Sequence, residues 1–191
     1  MNLILIKGVK MRLFIAVDIN SRSKKLIRNK VKILKSKIKN DIKWVEEDKW
    51  HLTLKFIGES SADEKGKLIT ALKKFDFKEK NKYLQLSKLA AFPDSDRAKV
   101  IYLGIDRGKK LLVNLHQRLE EELLQFGFEK DERNYIPHLT LGRSKGEAFK
   151  IRSEFRQQYF VNIYARIKSI SLYQSKLKAE GPEYIELFSI K

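Results

Sequence analysis

Two of the chain's three histidines and two of its three threonines sit in one repeated tetrapeptide. His51-Leu52-Thr53-Leu54 lies within "WHLTLKF", and His138-Leu139-Thr140-Leu141 within "PHLTLGR". Successive side chains of an extended strand point to opposite faces, so His51 and Thr53 share one face, and Leu52, Leu54 and Phe56 the other. His138 and Thr140 likewise lie opposite Leu139 and Leu141. The leucines anchor each strand to helices behind it, leaving an imidazole and a hydroxyl side by side on the front. Two such fronts meeting across a cleft would place two imidazoles around one bound group. In-line displacement at phosphorus needs a base on the attacking oxygen and an acid on the leaving oxygen, on opposite sides. Imidazole, with an ordinary pKa of about 6.5, serves in either role. The threonine hydroxyls can donate to the equatorial phosphate oxygens, and Arg143 is placed to add a bidentate clamp.

A single such tetrapeptide would be no more than a half-buried strand; two copies at matched positions point to chemistry. A zinc site is a poor fit, because no carboxylate or cysteine stands at ligand spacing. A serine hydrolase is unsupported, since no Gly-x-Ser-x-Gly occurs. The third histidine, His116, lies at the edge of an apolar helical stripe and reads as a boundary residue.

The elements that must position these residues follow from periodicity. Arg12 to Ile19 is an apolar, β-branched run expected to form a buried strand. From Ser21 to Asn40, Ile27, Val31, Leu34 and Ile38 mark a helix whose other faces carry Lys24, Lys25, Arg28, Lys32, Lys35 and Lys39. Such a face is ordinarily just solvated, with an RNA-facing surface as the alternative. The first His-Leu-Thr-Leu strand is expected to end at Gly58. Ser61 to Glu64 has capping-box form and opens a helix to about Phe75. Tyr83 to Phe92 is strand-like, stopped by Pro93-Asp94. Lys99 to Asp106 is the next strand, and Leu112, Leu115, Leu119, Leu123 and Phe126 define a helix with Gly127 as C-cap. After "PHLTLGR" a short helix is expected over residues 146–160, and strands at 162–175 and 182–190 close the chain. Both halves thus read strand, helix, His-Leu-Thr-Leu strand, helix, strand. The interval from Asp18 to His51 is 33 residues and that from Asp106 to His138 is 32, which supports duplication. The seam falls between Pro93 and Arg97.

The bulk composition sets limits. The 191 residues contain no cysteine, which excludes disulfides, zinc-thiolate sites and thiol nucleophiles. No apolar run reaches the roughly 20 residues that a membrane span needs, and the apolar stretch before Lys7 is too short for a signal peptide. A cytoplasmic location is expected. The net charge of +17 favours polyanionic partners, RNA among them. Heat adaptation alone also produces Lys-, Glu- and Ile-rich chains, so charge names no reaction.

With the motifs in view, the chain resembles the 2H phosphoesterase superfamily, and within it the RNA 2',3'-cyclic phosphodiesterases, also called 2'-5' RNA ligases. The features that carry this are "MRLFIAVDI", "KWVEEDKWHLTLKFIGE", "PHLTLGR" and the closing "SKLKAEGPEYIELFSI". The resemblance implies an α+β fold, a bilobal pseudo-two-fold duplication with two antiparallel sheets facing a central cleft and helices packed outside. It implies one domain over residues 11–191, with sequence halves at about 11–93 and 97–191, after an N-terminal extension at 1–10. It further implies hydrolysis of RNA 2',3'-cyclic phosphate ends to 2'-phosphomonoesters, without metal or other cofactor. On that pattern His51 is the proton donor to the departing 3'-oxygen and His138 the proton acceptor from water. Thr53, Thr140 and Arg143 hold the phosphate. The motifs are identical, so only the resemblance assigns the two histidine roles. A 2'-5' RNA ligase using the same site, or an RNA-end binding protein without turnover, are the alternatives. Partners are expected to be RNA ends or related nucleotides, with no membrane, and the protein is expected to be a monomer. Trp50, Phe56, Tyr135 and Tyr184 are candidates to stack on a base, Tyr135 foremost, although each also reads as a packed residue. The chain departs from the usual pattern at residues 1–10, at Arg133-Asn134-Tyr135-Ile136 ahead of the second motif, and at Gly142, where alanine is common.

Overall fold

The computed structural model describes residues 10–79, 82–156, 161–179 and 181–191. Residues 1–9 of the expected extension at 1–10, and residues 157–160 of the helix expected over 146–160, lie outside them. Eight strands and three α-helices are present among the described residues.

Strand β1 (Met11–Ile19) leads into helix α1 (Ser21–Lys37), which Asn20 caps by accepting from the Ser23 amide. The helix buries Ile27, Val31 and Leu34 and stops short of Asn40, its last turn closed by the Ile38 amide on the Leu34 carbonyl. A short strand that the sequence pattern did not announce, β2 (Ile42–Trp44), follows. A 3-10 turn at Glu47–Lys49 then delivers the chain to β3 (Leu52–Ser60), which carries the first motif. Helix α2 (Ala62–Lys74) begins with the expected reciprocal capping box between Ser61 and Glu64, a device that contributes about 1 kcal/mol. Strands β4 (Tyr83–Phe92) and β5 (Val100–Ile105), helix α3 (Lys109–Leu124) and strand β6 (His138–Ser144) fall where periodicity placed them. Strands β7 (Ile163–Lys178) and β8 (Gly181–Ile190) end the chain.

The pairing order β2-β6-β5-β4-β7-β1-β3, with β8 also on β7, is antiparallel throughout. Strand β7 belongs to both sheets. Its first residues pair with β4 and the remainder with β1 and β8. One sheet therefore holds β3, β1, β7 and β8, and the other β2, β6, β5, β4 and the start of β7. The halves of the sequence exchange strands: β4 from the first half pairs with β5, and β7 from the second pairs with β1. Helix α3 lies behind β3, and α1 lies against β7, where the Ser23 hydroxyl accepts from the Arg166 amide.

Two expectations fail. The helix at 146–160 is replaced, among its described residues, by a bridge between Phe149 and Ala98 and a 3-10 turn at Ser153–Phe155. The backbone groups of Phe149 pair in both directions with Ala98, and the Ile151 amide bonds to Ser95, so this segment is committed to extended pairing. The first motif strand does not end at Gly58 but runs through it to Ser60, with Gly58 at φ +89° in an irregularity opposite Leu13. A left-handed backbone is easily adopted there only because glycine lacks a Cβ.

Candidate active site

Each motif strand carries a bulge at the same place. In the β1–β3 ladder Ala16 faces Thr53 and Ile15 faces Lys55, leaving Leu54 as the extra residue. In the β5–β6 ladder Tyr102 faces Thr140 and Ile101 faces Gly142, leaving Leu141 extra. A bulge turns two successive side chains to one side and inverts the alternation beyond it. Leu52, Leu54 and Lys55 are accordingly all buried, and Leu139, Leu141 and Gly142 match them. The next residues, Phe56 and Arg143, return to the histidine side.

That corrects the expectation that Phe56 shares the leucine face. Its ring is 65% exposed and lies 6.0 Å from Phe14, which in turn lies 5.0 Å from the His51 ring. The same inversion aims Arg143 into the cleft, close enough for its charge to act on His138 and on Tyr184 of the opposite sheet. Gly142 has a packing reason: a Cβ would lie 2.7 Å from Ile42 Cγ2 and 3.3 Å from the Trp44 ring, so glycine lets β2 lie against β6.

The two histidines are held alike. His51 Nδ1 bonds to the Lys49 carbonyl at 2.8 Å, and His138 Nδ1 to the Ile136 carbonyl at 2.7 Å. A carbonyl only accepts, so Nδ1 carries the proton in both rings and Nε2 is the nitrogen left for chemistry. The Thr53 hydroxyl lies 3.1 Å from His51 Nε2 and donates to it while the ring is neutral. Thr140 stands one strand position pair from His138, as Thr53 does from His51, and is likewise half-buried.

Aromatic rings surround each imidazole. Phe14 is tilted against His51, Tyr184 meets it edge-on at 5.3 Å, and Tyr173 lies 6.3 Å away. Phe92 and Tyr102 stack on each other at 4.4 Å, and both approach His138 to 5.1 Å. These apolar walls disfavour the charged ring. Burial is the main cause that drives His51 down to about 4, against smaller raising effects from its Lys49 bond and from Asp18. Burial likewise lowers His138, and Arg143 adds to the effect. A protonated His138 is near enough to His51 to lower that ring slightly further.

A cavity of about 390 Å³ adjoins His51, bounded by Asp18, Trp50, Tyr173, Lys178 and Tyr184. The Tyr173 hydroxyl donates to Asp18, and Lys24 lies 3.9 Å from the same carboxylate. Trp50 is buried, and Tyr184 sits beside His51 in the cleft. Tyr135 is engaged elsewhere. Its ring stacks on His116 at 4.2 Å with 18° between planes, and its hydroxyl is buried, so it does not offer that face to a base. Phe14, Tyr173, Phe92 and Tyr102 were not singled out from the sequence. The alternation of β1 did carry a signal, because Phe14, Ala16 and Asp18 share one face while Leu13, Ile15 and Val17 fill the core.

A family model described as LigT-like phosphoesterase matches the chain twice in succession, over residues 17–102 and 103–184. A protein named RNA 2',3'-cyclic phosphodiesterase from Methanocaldococcus jannaschii is 35% identical over 177 residues, which span 91% of this chain and 96% of that one. One of the same name from Aeropyrum pernix is 32% identical, over 78% and 86% of the two chains. The fold is shared with Escherichia coli LigT, solved in complex with 3'-AMP, at a TM-score of 0.74 and 24% identity, over 95% of this chain and 97% of that one. It is shared also with TT0787 of Thermus thermophilus, at a TM-score of 0.77 and 21% identity, covering 94% and 97%.

Proposed function

The chain belongs to the LigT-like phosphoesterases, and from that premise we propose that it hydrolyses RNA 2',3'-cyclic phosphate ends to 2'-phosphomonoesters by a two-histidine mechanism. The observation that carries this is the matched pair of imidazoles, each with Nδ1 tied to a carbonyl and Nε2 left for chemistry. The cyclic phosphate lies between them. His138 Nε2 takes a proton from water as its oxygen bonds to phosphorus. The bond from phosphorus to the 3'-oxygen breaks, and His51 Nε2–H gives its proton to that oxygen. The product is a 2'-phosphate with a free 3'-hydroxyl. His138 leaves the step protonated and His51 neutral, and exchange with solvent resets both.

Thr53, Thr140 and Arg143 hold the non-bridging phosphate oxygens. Arg143 also favours a neutral His138, which a base requires. The walls of the cleft keep His51 neutral above about pH 4, so it takes up a proton from solvent as the substrate binds, the anionic phosphate stabilising the imidazolium. No metal is needed in this scheme, because the two imidazoles supply acid and base and the arginine supplies charge.

The test uses a short RNA ending in a 2',3'-cyclic phosphate, followed by mass spectrometry for the gain of one water. The wild-type protein converts it. His51→Ala and His138→Ala each lower turnover at least about 100-fold while remaining folded by circular dichroism. Near-normal turnover in either variant would rule out the paired mechanism.

A further inference from the structure

Behind the first motif, on the side away from the cleft, lies a buried polar cluster that the reaction does not use. Lys55 is 7% exposed and Glu120 6%. The Lys55 ammonium donates to both Glu120 oxygens, at 2.8 and 2.7 Å, and to the Glu129 carbonyl at 2.7 Å, which uses all three of its protons. Glu120 also accepts from the Asp131 amide at 3.3 Å. One turn earlier on α3, His116 Nδ1 donates to the Leu54 carbonyl at 2.9 Å, and its ring stacks on Tyr135.

A buried ion pair returns little net stability, because desolvating both charges offsets their attraction. Its location suggests a different use. Leu54 is the extra residue of the bulge on β3, a strand paired only with β1 among the described residues, and its buried carbonyl needs a donor. His116 supplies that donor. The bulge in turn separates Thr53 from Lys55 and fixes which way His51 and Thr53 face. The other attachments of the cluster, at Glu129, Asp131 and Tyr135, all lie in the segment that leads to His138. The second motif lacks this arrangement. There the Leu141 carbonyl is met by the Val45 amide of the backbone, and Gly142 occupies the place of Lys55.

We propose that His116, backed by the Lys55–Glu120 pair, is a positioning residue for the phosphodiesterase reaction. It holds the bulge that aims His51 and fastens the segment delivering His138, so that both imidazoles keep one spacing. This rests on the function proposed above. Misplacing reacting groups by about 1 Å costs up to roughly 100-fold in rate.

The experiment compares His116→Leu, which removes the donor, with His116→Asn, whose Nδ2 can stand where Nδ1 stood. Leu112→Ala, also buried on α3 but outside the cluster, serves as a match for lost stability. Kinetics on a nucleoside 2',3'-cyclic phosphate are measured well below each variant's Tm. His116→Leu lowers kcat by about 10- to 100-fold with KM within about twofold, and His116→Asn recovers most of the loss. A second readout needs no substrate. The wild-type protein has three histidines, so long-range proton–nitrogen NMR resolves each imidazole. The His51 resonances and titration move in His116→Leu and return in His116→Asn. A His116→Leu protein that loses Tm as Leu112→Ala does, yet keeps kcat and an unmoved His51 signal, overturns the proposal. So does an Asn variant no better than Leu. If the wild-type protein turns over no cyclic phosphate, the proposed function fails, while the NMR comparison still decides the positioning role.

Discussion

At the scale of single residues, the site depends on keeping two imidazoles neutral among aromatic rings until an anion arrives. That has a pH signature. The productive state of the free protein has one imidazole protonated and one neutral, so it is populated only between their two pKa values. Burial places both below the ordinary 6.5, His51 near 4. The kcat/KM profile is therefore bell-shaped, with its maximum on the acid side of pH 6.5 and a decline above it. The bound phosphate favours the imidazolium, so the alkaline limb of kcat lies at higher pH than that of kcat/KM. A kcat/KM that rises between pH 6.5 and 8 would contradict this reading. The same lowered pKa values affect stability. The unfolded chain binds protons at these rings before the folded one does, so stability present above pH 6.5 is lost as pH falls toward 4. His51→Gln reduces that loss, which thermal unfolding across this range can read.

At the scale of elements, the twin bulges decide which residues reach the cleft. Their effect on Arg143 rests on the contact of Gly142 with β2. Gly142→Ala forces a Cβ onto Ile42 Cγ2 and is expected to cost about 1–3 kcal/mol, together with a rise in KM as Arg143 shifts. Ile42→Ala in the same chain removes the colliding atom and recovers part of both losses. Thermal unfolding and steady-state kinetics of the two variants check it. The sequence carried the elements well where periodicity and caps agree, as in α2 with its Ser61–Glu64 box and α3 with its leucine stripe. It could not carry the bulges. Thr53-Leu54-Lys55-Phe56 alternates without interruption, and what breaks the alternation is the register against β1 and the donor from His116. Strand β2 and the extended pairing of Phe149 were hidden for a similar reason, since both are fixed by long-range hydrogen bonds rather than local pattern.

At the scale of the whole molecule, the duplication seen in the spacing of the motifs reappears as two successive family matches, yet neither half of the sequence forms a lobe alone. The exchange of β4 and β7 knits the halves together, and only the pairing of distant strands reveals it. The resulting protein carries 41 Lys and Arg against 24 Asp and Glu. For an oligonucleotide substrate, KM should rise steeply with salt, each neutralised phosphate adding about 0.7 to the logarithmic slope. A nucleoside cyclic phosphate, with one charge, should show a slope near that of a single contact. Equal slopes for the two would mean that the basic surface takes no part in holding RNA.

The reaction itself can be read by phosphorus NMR of a nucleoside 2',3'-cyclic phosphate incubated with the protein in EDTA. The expected result is loss of the cyclic phosphate signal and growth of the 2'-monophosphate alone. Persistence of the cyclic phosphate, or appearance of the 3'-monophosphate in its place, would contradict it.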